Sequence, residues 1–240
     1  MPNRFVEKLL CYAELSSEDI ALAERVTSNP RKVGARQDLI REGDRPGPVF
    51  VMLEGWACRY KILPEGGRQI VAFLMPGDTC DMHVAVLAQM DHSIQTLSAS
   101  RVAMISRAEM HELVTTRAQI AHALWSTQLV DESTMRAWIV SMGRRDGEAR
   151  VAHLMCELFV RARNIGLIRG NTLEIPVSQV ILADSLGMTP VHINRILRRL
   201  RIAGLMELGR GKLTILDPPG LVKVAGFDET YLHNRMRRAA

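Results

Sequence analysis

The stretch Asp184–Arg201, DSLGMTPVHINRILRRLR, has little freedom in how it folds. Ile193, Ile196, Leu197 and Leu200 recur at steps of three and four, so a helix here has one apolar side that must meet a core. The positions between them hold His192, Asn194, Arg195, Arg198, Arg199 and Arg201. Such a helix can dock on its own domain and meet an anion at the same time. Its start is marked: Thr189 is a suitable N-cap, and Pro190 takes the first helical position, where a missing N–H costs nothing. Gly187 closes a preceding helix that Pro176 and Ser178 open. After Gly204, LMELGRGKLTIL reads as two short strands around a Gly-Arg-Gly turn. Helix, short turn, helix and hairpin is the order of a winged helix-turn-helix.

The chain carries a formal net charge of +5, and distribution says more than the total. Arg195, Arg198, Arg199, Arg201, Arg210 and Lys212 face a single acid, Glu207, in the same stretch, and the tail NRMRRAA is also basic. A helix fits the DNA major groove, where arginine reads guanine by two hydrogen bonds and asparagine or histidine meets other base edges. Ser178, Thr189 and the adjoining Pro190 and Val191 lie where helix N-termini approach phosphate or bases, and Arg210 and Lys212 lie where a hairpin reaches the flanking backbone. His192 serves equally well as a DNA contact or as part of the helix cap.

The first third of the chain has another texture. Short apolar runs (DLIREGD, GPVFVMLEGWACRYKIL, PEGGRQIVAFLMPGD, SIQTLSASRVAMIS) follow a helix expected over Ser17–Ala23, and Gly43, Gly55, Gly66, Gly67 and Gly77 punctuate them. Strand-sized segments between glycine turns predict a barrel or roll rather than βαβ units. From Arg107 to Met142 there is no glycine or proline, and Ile120, Leu124, Thr127 and Val130 form a stripe at helical spacing. A helix of roughly 25 residues is long for a globular domain, so this stripe is expected to meet a second copy of itself, packing on its own β domain being the alternative. GRRDG then breaks the helix, and Glu148–Arg163 predicts another, with Val151, Leu154, Met155, Leu158 and Phe159 on one face.

Other function classes lose ground on composition. No apolar run reaches the roughly 18 residues of a membrane span, and the acidic N-terminal stretch is not a signal peptide, so a cytoplasmic protein is expected. Cys11, Cys58, Cys80 and Cys156 stand far apart, which argues against a zinc site, an iron–sulfur cluster or a disulfide scaffold. HExxH, GxSxG, P-loop and GxGxxG motifs are absent, so no catalysis is expected.

With these residues in hand, the chain resembles the Crp/Fnr family of bacterial transcription regulators along nearly its whole length. The specific part is IPVSQVILADSLGMTPVHINRILRRLRIAGLMELGRGKLTILD, and the trailing DPPGLVKVAGFDETYLH resembles a subgroup of such regulators. The resemblance implies an α+β chain: a cyclic-nucleotide-binding-like β-roll over residues 1–107, a dimerisation helix and hinge over 108–146, a winged helix-turn-helix over 147–217 and a tail over 218–240. It further implies a homodimer on a two-fold symmetric site in double-stranded DNA. Departures from the pattern bear on the effector. Members that bind cyclic AMP carry Gly-Glu-Leu and then Arg-Ser. The matching positions here are Asp81, Met82 and His83, then His92 and Ser93. Methionine cannot accept a ribose hydrogen bond as glutamate does, Asp81 opposes a phosphate, and histidine is a weaker replacement for arginine. Cyclic nucleotide is therefore not expected in this candidate effector pocket. Cys11 stands alone where relatives group their cluster ligands, and His83, His92, His111 and His122 are the candidates for a haem ligand, so neither cofactor is expected. Val191 replaces the glutamate with which many members read DNA, so the half-site should differ from theirs. Val180 and Ile181, where relatives tend to be polar, offer a contact to RNA polymerase or the partner domain. The competing reading is a ligand- or redox-sensing module whose helix-turn-helix serves protein contacts, with Cys58 and Cys80 as the thiols concerned.

Overall fold

The computed structural model describes residues 2–80, 82 and 87–233. The chain divides into two compact units, one closing at Asp131 and the next opening at Glu132.

The first unit begins with α1 (Arg4–Leu10), capped by Asn3, and α2 (Ser17–Val26), capped by a reciprocal Ser16–Asp19 box. Only α2 was legible as a periodic pattern. The seven residues of α1 are too few for one, yet Phe5, Val6 and Leu9 are buried. Eight strands follow: β1 (Arg31–Val33), β2 (Asp38–Ile40), β3 (Val49–Glu54), β4 (Ala57–Ile62), β5 (Arg68–Leu74), β6 (Thr79–Cys80), β7 (Ser93–Thr96) and β8 (Ser100–Ile105). They form two antiparallel four-stranded sheets, ordered β1-β8-β3-β6 and β2-β7-β4-β5. Val49, Val51, Ile94, Val102 and Ile105 from both sheets share one apolar core with the N-terminal helices. The expected roll is present.

Two helices leave the roll. α3 (Arg107–Thr116) has a Ser106–Glu109 capping box, and Arg117, with φ −124° and ψ 87°, separates it from α4 (Ala118–Arg144). The α4 stripe is not where the sequence argument put it. Ile120, Ala123 and Leu124 belong to the core of the roll, Val130 packs against that core, and Thr127 is buried with its hydroxyl donating to the Leu124 carbonyl at 2.7 Å. Packing on its own domain therefore claims Ile120, Leu124, Thr127 and Val130. The most exposed apolar residues of α4 are on another side: Trp125 at 65%, Leu129 at 51%, Ile139 at 71% and Val140 at 54%. At 100° per residue these four fall within one broad arc of the helix, with the Glu132–Arg136 ion pair, 3.6 Å, between them.

The second unit takes the end of α4 and then α5 (Gly147–Asn164), capped by Asp146. Next come β9 (Ile168–Arg169), β10 (Thr172–Glu174), α6 (Gln179–Leu186), α7 (Pro190–Ile202), β11 (Met206–Gly209), β12 (Lys212–Ile215) and α8 (Pro218–Ala225), then a 3-10 turn over Glu229–Leu232. The expected hairpin is half of a four-stranded sheet, β11-β12-β10-β9, whose Leu173 and Leu213 are fully buried. Residues 218–233 are no separate tail. α8 and the 3-10 turn bury Leu221, Ala225 and Leu232 within this unit. Likewise, the proposed dimerisation segment is shared, since α4 gives its first half to one core and its second half to the other.

A buried leucine replaced by alanine loses its transfer energy and leaves a cavity. Leu124→Ala should lower the unfolding free energy by about 2–5 kcal/mol in urea titrations at fixed protein concentration. A loss below about 0.5 kcal/mol would contradict the placement of this stripe in the roll.

Candidate nucleic-acid interface

The helix pair α6–α7 is fixed by its ends. The Ser178 hydroxyl accepts from the Ile181 amide at 3.2 Å and opens α6. Gly187 closes it in the left-handed region, φ 62°, where a side chain would be strained. Thr189 accepts from the His192 amide at 3.2 Å, and Pro190 follows at the first position of α7. Both cap hydroxyls keep their own proton for an external acceptor such as a phosphate oxygen.

Packing then decides what faces out. Ile193, Ile196 and Leu200 of α7 are buried and Leu197 is half-buried. Burying such side chains contributes about 1.5–3 kcal/mol each. The solvated Arg199–Glu148 pair, at 3.9 Å, is worth at most about 1 kcal/mol. The apolar seam therefore sets the rotation of the helix. Val191, Arg195 and Arg198 lie opposite the seam, with His192 and Arg199 on one flank and Asn194 and Arg201 on the other, all exposed. Asn194 is tied to α6: its Nδ2 donates to Gln179 Oε1 at 3.2 Å. On the opposite flank His192 and Arg199 border a cleft of about 300 Å³ shared with Asp146, Gly147 and Glu148 at the start of α5. A methyl group on Gly147 would come within 2.8 Å of His192 Nε2 and 3.0 Å of Ile196 Cδ1, so a larger residue here would push the ends of those side chains aside. Val180 is 56% exposed on α6, and Ile181 is half-buried.

In the hairpin, Arg210 sits at φ 51° and Gly211 at φ 75°, a tight turn that carries the arginine outward at some backbone strain. Lys212 stands opposite Glu174 in the β10–β12 ladder, which partly offsets its charge. Spacing alone did not show this pairing, because β10 is only three residues long.

The same unit holds a buried polar cluster that sequence reasoning missed. Glu157 of α5 is fully buried, and its Oε2 accepts from Trp138 Nε1 and from the Tyr231 hydroxyl, each at 2.9 Å. Arg161 Nη1 is 3.5 Å from Oε1. Burial raises the Glu157 pKa against the pull of Arg161, and burial with the adjacent carboxylate raises that of Tyr231. His153 stacks on Tyr231, 5.8 Å between ring centroids, and meets Phe227 edge-on at 5.2 Å. The cluster joins the end of α4, α5 and the last described turn.

The candidate effector residues are seen in part. Asp81 and His83 lie outside the described residues, as does the basic tail from Asn234. Met82 packs against the core of the roll. Ser93 is buried in β7, and its hydroxyl accepts from the Glu42 amide at 2.9 Å. His92 Nδ1 lies 2.7 Å from Asp91 Oδ1, an interaction that lowers the Asp91 pKa. Cys58, Cys80 and Cys156 are buried and Cys11 is half-buried; burial pushes Cys156 up to about 12. Among the described residues, no group of three or more His, Cys, Asp and Glu side chains is placed to hold a metal ion, and no helix is long and apolar enough to cross a membrane.

The profile of the Crp-like helix-turn-helix domain matches residues 149–224, and that of the cyclic nucleotide-binding domain matches residues 30–117. The chain belongs to the Crp/Fnr family of transcription regulators. Among curated Crp/Fnr relatives, the nitrogen fixation regulation protein FixK of Bradyrhizobium diazoefficiens is 28% identical over 76% of each chain. The transcriptional activatory protein AadR of Rhodopseudomonas palustris is 27% identical over 89% of this chain and 87% of its own. Two solved structures share the Crp/Fnr fold. FixK2 of Bradyrhizobium japonicum has a TM-score of 0.73 at 21% identity, covering 82% of this chain and 96% of that one. A CooA mutant of Carboxydothermus hydrogenoformans has a TM-score of 0.63 at 19% identity, covering 82% and 87%. In this Crp/Fnr regulator, α6, α7 and the β11–β12 hairpin all fall within the matched helix-turn-helix domain, and the exposed basic side of α7 belongs to it.

Burial, and then the nearby Arg145 charge, lower the His153 pKa from 6.5 to about 4. Between those values the unfolded chain binds a proton that the folded chain does not. This contribution to stability is therefore complete above about pH 6.5 and lost as pH falls toward 4. His153→Phe should flatten the pH dependence of the urea midpoint in that window. Parent and variant curves that stay parallel would contradict the assignment.

Proposed function

We propose that this regulator acts as a homodimer on an inverted-repeat DNA site, with α7 of each subunit in successive major grooves and the β11–β12 turn on the flanking backbone. The observation that carries this reading is the outward set Val191, Arg195 and Arg198, fixed by the buried Ile193, Ile196 and Leu200. Arg195 reads guanine, Val191 touches a thymine methyl, and Arg210 and Lys212 hold phosphates. The second copy is expected on the exposed arc of α4, because Trp125, Leu129, Ile139 and Val140 form an apolar face broken only by one ion pair. Binding to DNA places the chain in the cytoplasm.

The roll is read as independent of cyclic AMP. Met82 sits against the core where the nucleotide-binding pattern requires a carboxylate, and Ser93 already holds the Glu42 amide. No haem or iron–sulfur centre enters this reading. Val180 offers an apolar contact to RNA polymerase.

Arg195→Ala should cost about 1–3 kcal/mol on the cognate duplex and relax preference at one base pair of each half-site. Lys212→Ala should weaken all duplexes about equally and lower the salt dependence. Salt-titrated binding to cognate and scrambled duplexes measures both, and an Arg195→Ala variant that keeps both affinity and preference would refute the docking.

Ile139→Asp places a charge on the proposed subunit contact. By sedimentation velocity it should be a monomer where the parent is a dimer, and it should bind a full site no better than a half-site. A dimeric Ile139→Asp protein would move the subunit contact elsewhere.

A further inference from the structure

We propose that Gln179 is a positioning residue for base reading: it fixes the carboxamide of Asn194 so that Asn194 presents its carbonyl oxygen, beside one N–H, to an adenine edge. This rests on α7 docking in the major groove. Gln179 is the first residue of α6, directly after the Ser178 cap, and Asn194 lies on the flank of α7 nearest to it. Asn194 Nδ2 donates to Gln179 Oε1 at 3.2 Å, a side-chain hydrogen bond between the two helices. Both residues are exposed, so without this bond the asparagine amide would turn freely and show either of its ends.

The chemistry follows from counting donors and acceptors. The Nδ2 group has two protons, and Gln179 takes one. Oδ1, with both lone pairs, and the second N–H remain for a ligand. A carbonyl beside an N–H matches the N6 donor and N7 acceptor of adenine, and neither guanine nor thymine offers that pair. A phosphate oxygen accepting from Gln179 Nε2 would hold Oε1 toward Asn194 and complete a relay from the DNA backbone to the base. Arg195 and Arg198, flexible cations with donors only, can donate to N7 but cannot accept from N6, so they cannot match both groups of this edge.

The test uses the full-length protein and a panel of duplexes in which each base pair of its selected half-site is replaced in turn. Asn194→Ala should level one adenine-containing pair, a loss of roughly 5- to 100-fold in discrimination. Gln179→Ala should erode discrimination several-fold at that same pair and at no other. Combining the two should add nothing further there. Gln179→Glu keeps an acceptor for Asn194 but repels phosphate, so it should retain the preference while binding every duplex more weakly. Equal weakening of all duplexes by Gln179→Ala, with preference intact, would make Gln179 a backbone contact only and overturn the proposal. So would an Asn194→Ala variant that levels no pair. A parent protein with no discrimination at any position would instead refute the docking of α7, and this proposal with it.

Discussion

The burial of Ile193, Ile196 and Leu200 is the interaction on which the DNA-binding half depends. These three side chains allow one rotation of α7, and that rotation sends Arg195 and Arg198 outward. No surface ion pair has the energy to change it. Other features support the same unit. Gly147 admits His192 and Ile196 at close range, and Gly187 gives the turn between the helices its left-handed residue. The Glu157 cluster ties α5 to Trp138 and Tyr231 at its back. The arginines are at ease in solvent, and the apolar surface beneath the helix fixes the direction in which they face it.

The long helix α4 shows a second economy of the chain. Ile120 and Leu124 serve the core of the roll, Trp138 serves the second unit through Glu157, and the arc carrying Trp125, Leu129, Ile139 and Val140 stays exposed.

The caps and the α7 stripe were readable because each is a local pattern: Ser178, Gly187, Thr189 and Pro190 sit at fixed offsets, and the apolar residues recur at helical spacing. The roll was readable from its glycine turns. The α4 stripe was legible as a stripe, but its destination was not, since periodicity marks a buried face without saying which surface covers it. The β9–β10 hairpin is too short for alternation to register, and with it the Glu174–Lys212 pairing was hidden. Gln179 and Asn194 lie fifteen positions apart, and their bond depends on how two helices cross, which no spacing rule encodes. Glu157 carries no local sign of burial, because its partners Trp138 and Tyr231 lie 19 and 74 positions away along the chain.

The most direct test of the central claim is selection from a random pool of duplexes by the purified, unliganded full-length protein at near-physiological salt. The account predicts enrichment of an inverted repeat with half-site centres about one helical turn apart. Retention that is purely salt-sensitive, with no enriched sequence and no two-fold symmetry, would contradict it.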